Sequence, residues 1–160
     1  WGVDGSVQAF EGDHGCFHLY GQKVDPSLLS RGKDDPFQIH NMSFKPYSCC
    51  RKFHSLIDGL GDVTDGFAAD PASIDRIVVY SPTGSIEKHQ MKRPNSVMAA
   101  QYSMPYIVGA TLAYGAQRYD AYGPSFHDDT KILDIVDRVE AELDTGLDCY
   151  VPDAMPNRVV

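Results

Sequence analysis

The chain has 160 residues, with 14 Lys and Arg against 22 Asp and Glu, so its formal charge is -8 at pH 7. Nucleic-acid binders gain affinity by setting cations on phosphates, and this acidic balance speaks against that kind of partner. With 42% hydrophobic and 11% aromatic residues the composition is globular, and the length suits one domain or one domain with part of a neighbour.

No run of about 18 apolar residues occurs, so no membrane span is expected. Residues 1–24 do not read as a secretory signal, and a cytoplasmic protein is the expectation. Both ends read as cut. The chain opens on Trp1 and closes on Pro156-Asn157-Arg158-Val159-Val160, where a β-rich run is starting. A piece of a larger protein is therefore expected. The four cysteines, Cys16, Cys49, Cys50 and Cys149, show no CxxC spacing, and adjacent Cys49 and Cys50 bridge each other poorly. Reduced thiols are expected.

Residues 1–24 mix glycine with aromatics and read as loop with one short helix at most. Asp25 caps a helical turn over Pro26-Ser27-Leu28-Leu29-Ser30, which Gly32 ends. Asp34-Asp35-Pro36 is turn chemistry. Phe37 to Phe44 alternates loosely and reads as a strand with one irregularity. Next comes a helix that Ser48 caps, with Phe53, Leu56, Ile57 and Leu60 as its apolar stripe and Gly59 and Gly61 ending it. Gly66 to Ser73 is a loop. Ile74 to Tyr80 is the clearest strand, stopped by Ser81-Pro82-Thr83-Gly84. An Ala-rich apolar helix over 96–115 either kinks or starts at Pro105. From Asp128 an amphipathic helix is predicted, with Ile132, Ile135, Val136, Val139 and Leu143 inside. The pattern suits an α+β fold: helices packed on one face of a small, mainly antiparallel sheet.

The residues with most chemistry lie in Lys45-Pro46-Tyr47-Ser48-Cys49-Cys50-Arg51-Lys52-Phe53-His54. Arg31 to Phe53 holds five Lys and Arg against two Asp, a positive region on an acidic protein. A helix beginning near Ser48 sets Cys50 and His54 on one face and brings Lys45 and Arg51 to its N-terminus, a place for a carboxylate. His54 reads as a proton-transfer group or as a half-buried histidine bonded to backbone. Cys50 reads as a site residue or a small core hydrophobe, and Lys45 and Arg51 as carboxylate holders or solvated charges. Tyr106 follows a helix-breaking Pro105, so its hydroxyl either points out of the core as a proton donor or is satisfied inside it. His14 and His18 have metal-ligand spacing, but Gly12 and Gly15 oppose a helix and no third ligand is evident, so no metal is expected. GxGxxG and P-loop patterns are missing.

Three segments carry a resemblance. Lys45-Pro46-Tyr47-Ser48-Cys49-Cys50, with His54 and Ile57-Asp58, resembles the KPYPCC...H...ID signature of the MmgE/PrpD family. Phe10 to Gly15 resembles its FEGxxG stretch, and Ala100 to Tyr106 its AQFSLPY helix. They occur in the family's order and cover nearly the whole chain. The resemblance implies a metal-free and cofactor-free enzyme, with a large helical domain, a smaller α+β lid, and a homodimer formed through the helical domain. It makes residues 1–35 the end of the helical domain and 36–160 the lid. It also implies a small di- or tricarboxylate substrate, in the range of 2-methylcitrate dehydratase, cis-aconitate decarboxylase and iminodisuccinate epimerase. Lys45 matches the lid lysine that holds a substrate carboxylate. Cys50 stands where some members have a histidine and some fungal decarboxylases a Cys-Cys pair. Tyr106 matches a tyrosine proposed as proton donor in the decarboxylase branch.

The expectation is a lyase that dehydrates a small hydroxy-polycarboxylate. His54, Tyr106 and Cys50 are its catalytic candidates; Lys45 and Arg51 are its substrate-binding candidates. Decarboxylase and epimerase are the runners-up. A reading of another class is a non-catalytic lid fragment or oligomerisation module. Since the helical part with further His and Lys residues is missing, this chain alone is expected to be incomplete for activity.

Overall fold

The computed structural model describes residues 2, 5–21, 25, 27, 30, 32–67 and 70–160. Two compact units divide the chain, Trp1–Ser43 and Phe44–Val160. Among the described residues of 1–24 there is one short helix, α1 (Cys16–Tyr20), as their glycine-rich composition predicts. The Phe10-to-Gly15 stretch folds back on itself: Cys16 N–H donates to the Ala9 carbonyl and Phe17 N–H to that of Phe10. At Gly15 a Cβ would stand 2.5 Å from the Phe10 oxygen, so this return permits only glycine. In the capped turn expected at 25–32, Pro26, Leu28, Leu29 and Arg31 lie outside the described residues. The Asp25 carboxylate does accept from the Ser27 N–H and hydroxyl.

No strand forms over 37–44. Gln38–Asn41 is a 3-10 helix, and Phe37, Ile39 and Met42 are 67%, 72% and 69% exposed. An alternating pattern makes a strand only where a neighbouring ladder takes its N–H and C=O groups, and none is offered here.

The second unit is α+β. Strand β1 (Ile77–Ser81) lies between β2 (Val139–Leu143) and β3 (Arg158–Val159). The sheet is mixed rather than mainly antiparallel. β1 pairs with β2 in parallel from Ile77↔Val139 to Ser81↔Leu143, and with β3 antiparallel at Val79↔Val159 and Tyr80↔Arg158. A parallel pair needs a long crossover, and α3 (Thr83–Ile86), α4 (Val97–Tyr102), α5 (Met104–Tyr114) and α6 (Thr130–Asp137) occupy it. The strand at 77–81 starts three residues later than the Ile74–Tyr80 expectation.

Helix α6 stops sooner than its apolar spacing suggests. The Asp129 carboxylate caps it, accepting from the Lys131 and Ile132 N–H groups, and it ends at Asp137. Val139 and Leu143 belong to β2, where Val139 is buried and Leu143 is 54% exposed. Val-Glu-Ala-Glu-Leu alternates with period two as well, and the free edge of β1 decides between the periods. Pro105 begins a helix: Ser103 caps α5 by accepting from the Tyr106 N–H, and proline in a first turn sacrifices no helical bond.

Helices α5 and α6 meet at Gly109. A Cβ there would lie 2.7 Å from Val136 Cγ2 and 2.8 Å from the Ile132 oxygen. Gly109→Ala is therefore expected to destabilise by about 1–3 kcal/mol despite alanine's better helix propensity. Urea unfolding measures this, and an unchanged or higher midpoint would contradict the close approach.

The helix expected from Ser48 begins later. A 3-10 turn over Arg51–Phe53 leads into α2 (His54–Val63). Its stripe is as predicted, with Phe53, Leu56, Ile57 and Leu60 fully buried. Gly59 and Gly61 do not end it. They lie inside the helix; a Cβ on Gly61 would come tightly against the Phe67 ring at 3.2 Å, while one on Gly59 would make ordinary contact with Val159 Cγ1 at 3.4 Å.

Candidate functional site

Residues 45–50 form a bent strip tied to α4. The Gln101 carbonyl accepts from the Cys50 N–H at 2.8 Å, and its side-chain amide donates to the Ser48 hydroxyl at 3.0 Å. Ser48 thus serves this clamp rather than a helix cap. Two of the sequence segments that carry the resemblance are joined here by hydrogen bonds.

This strip of chain separates two concavities. One, of about 530 Å³, is lined by Lys45, Tyr47, Ser48, Cys49, Gln101 and Tyr119, among others. The other, of about 600 Å³, has Cys50, Arg51, Lys52, His54 and Ser55 on one wall and Pro152–Met155 on the other. The structure therefore brings Cys50, Arg51 and His54 together and places Lys45 on the neighbouring side. Cys50 and His54 do not share a helix face, because Cys50 precedes the 3-10 turn and His54 is the first residue of α2. They meet through the cavity instead.

His54 is half-buried, and its Nε2 lies 3.4 Å from the Cys49 carbonyl. A carbonyl only accepts, so Nε2 carries the hydrogen in this contact and Nδ1 keeps its lone pair. The Tyr47 ring meets the imidazole edge-on at 5.3 Å. Burial lowers the His54 pKa, opposed by the Cys49 carbonyl bond and aided by the charges of Lys45 and Arg51. The shift favours the neutral imidazole, the form a base needs. His89, packed between Phe53 and Tyr102, is lowered too, first by burial.

Both histidines titrate at lower pH in the folded chain than in the unfolded chain, whose imidazoles take up protons near pH 6.5. Their contribution to stability is complete above that value and is lost as pH falls through the window below it. The urea midpoint is expected to drop between pH 7.5 and 5. A flat midpoint across that range would contradict both shifts.

Tyr106 stands apart from this region. It is 0% exposed, and its hydroxyl donates to the carbonyls of Ala121 at 3.0 Å and Phe126 at 2.9 Å. Burial pushes its pKa up to about 12. The break at Pro105 does not turn this side chain outward; it starts α5, and α5 is buried on nearly every side. Tyr106 is a core residue with a satisfied hydroxyl.

Cys49 is buried, and burial raises its thiol to about 12; it borders the concavity at Lys45, whereas Cys50 is the thiol of the pair that lines the cavity with Arg51 and His54. The four cysteines are free.

Three residues assigned no role in the sequence reading shape the site. The Tyr47 hydroxyl donates to Asp58 at 2.5 Å, which pushes the tyrosine pKa up to about 12 and pins the ring that abuts His54. Both residues stand in the KPY...ID signature, so the motif itself held that signal. The third is Asn157. Its amide donates to the Lys52 carbonyl and the Ser55 hydroxyl, more than a hundred residues away in sequence, and no local pattern announces it.

Among the described residues no three His, Cys, Asp or Glu side chains gather as metal ligands, and no helix is long and apolar enough to cross a membrane. No curated protein matches the chain. Residues 47–160 match the MmgE/PrpD C-terminal domain, spanning α2, the whole sheet and the cavity lined by Cys50, Arg51 and His54. Both the resemblance at Lys45–Asp58 and the α+β architecture lead to one conclusion: the chain belongs to the MmgE/PrpD family, through its C-terminal domain.

Proposed function

We propose that this chain is the lid portion of an MmgE/PrpD-type lyase that dehydrates a small hydroxy-polycarboxylate such as 2-methylcitrate. Family membership supports a lyase-type role at the coarse level. The observation that carries the finer reading is one cavity lined by both an imidazole and a guanidinium, those of His54 and Arg51, with burial lowering the His54 pKa.

Dehydration removes a proton from a carbon next to a carboxylate and a hydroxide from the adjacent carbon. In this reading Nδ1 of His54 takes the proton. The C–H electron pair spreads into the carboxylate, where Arg51 stabilises the charge. The C=C bond forms as the C–O bond breaks, and the imidazolium returns its proton to the departing oxygen, so water leaves. Lys45 provides a second cation from the other side of the Pro46–Tyr47 strip, and its charge already acts on His54. Cys50 lines the cavity where the substrate would lie.

The test is full-length protein incubated with 2-methylcitrate, citrate and cis-aconitate, following absorbance of a new C=C bond and CO2 release separately. A double bond formed from 2-methylcitrate without CO2 is the expected result. CO2 from cis-aconitate alone would move the assignment to a decarboxylase. No turnover of any of the three would remove both and leave epimerisation.

A further inference from the structure

The cavity at Arg51 and His54 has two walls from opposite ends of the second unit, residues 50–55 and 152–155. One side chain joins them. The Asn157 amide donates to the Lys52 carbonyl at 2.7 Å and to the Ser55 hydroxyl at 2.9 Å. Ser55 passes its own hydrogen to the Met155 carbonyl at 2.7 Å. On the far side the Asn157 carbonyl accepts from Ser81, a buried residue at the end of β1, at 2.6 Å. Each amide hydrogen has an acceptor, and the carboxamide oxygen has a donor. This chain of bonds runs from the central strand through Asn157 into both walls.

We propose that Asn157 is the positioning residue of this cavity: it fastens the 152–155 wall to the 50–55 wall and thereby sets the opening that admits a carboxylate to Arg51 and His54. The chemistry explains the choice of residue. Only a carboxamide of this length offers two hydrogens to the wall and an acceptor to Ser81 at once. An aspartate keeps the acceptor and loses both donors. That the visitor is a carboxylate rests on the function proposed above; the fastening does not.

The test uses the thiols already present in the full-length protein. Cys50 lines the cavity, whereas exposed Cys149 serves as an internal reference. Alkylation by neutral iodoacetamide and by anionic iodoacetate is timed at each cysteine by mass spectrometry of the peptides. In Asn157→Asp and in the milder Ser55→Ala, the iodoacetamide rate at Cys50 relative to Cys149 is expected to rise about tenfold and about threefold respectively, as wall bonds of ordinary strength are lost. Gly109→Ala is the control, a destabilised variant with its change at the α5–α6 contact, and its relative rate should match wild type. Unchanged relative rates in both folded wall variants, or an equal rise in the Gly109 control, would overturn the positioning role. The wild-type preference for iodoacetate over iodoacetamide at Cys50 is a separate readout. Its absence would count against the anion-binding reading, while the iodoacetamide rates still decide the role of Asn157.

Discussion

His54→Gln is expected to lower kcat/KM of the full-length protein by about 10²–10⁴ while leaving the fold intact. Glutamine retains a donor for the Cys49 carbonyl that His54 contacts, so the N-terminus of α2 keeps its local bond. It lacks a basic nitrogen with a lone pair, and the proton at the substrate carbon then has no acceptor on this wall. The wild-type acid limb should appear below pH 6.5, because burial and the charges of Lys45 and Arg51 keep the imidazole neutral above it. Steady-state kinetics from pH 5 to 8 measure both effects. Wild-type turnover in the variant would return His54 to the role of a backbone-bonded packing residue.

The second large effect concerns Tyr106 and has the opposite signature. Tyr106→Phe removes the hydroxyl hydrogen that α5 offers to the Ala121 and Phe126 carbonyls. The Phe126 carbonyl keeps the Asp129 N–H, but the buried Ala121 carbonyl loses its hydroxyl donor, which costs about 1–3 kcal/mol. The same change in a proton donor at a cleft would reduce turnover and spare stability. The expected result is a lowered melting temperature together with near wild-type kcat below the transition. Differential scanning calorimetry beside an activity assay separates the two. A tenfold loss of kcat at unchanged stability would contradict the buried geometry.

Elements stated locally were legible in advance. The Phe53-Leu56-Ile57-Leu60 stripe recurs at helical spacing and is buried as a unit. The β-branched run before Ser81 is a strand, and of the two outcomes that the proline at 105 allowed, a kink or a helix start, the second is found. The Lys45–Asp58 signature pointed to the region where the concavities lie, since its residue types are written in consecutive sequence.

Other features depended on distant partners. Phe37 to Phe44 alternates like a strand but meets no ladder, whereas Val139 to Leu143 fits a helix yet is drawn into the sheet by β1. In both cases the local preference is weak, and an available row of N–H and C=O groups decides the outcome.

The sequence by itself determined the α+β class, the family and the stretch of chain that borders the two concavities. Only the tertiary structure decided which of those side chains meet: Arg51 with His54 and Cys50, Lys45 on the adjoining side, and Tyr106 in the core. The physical reason is the origin of the cavity. Its second wall comes from residues 152–155 and is fastened by Ser55 and Asn157 across about a hundred residues of chain, a closure made by packing and hydrogen bonds that no short-range pattern encodes.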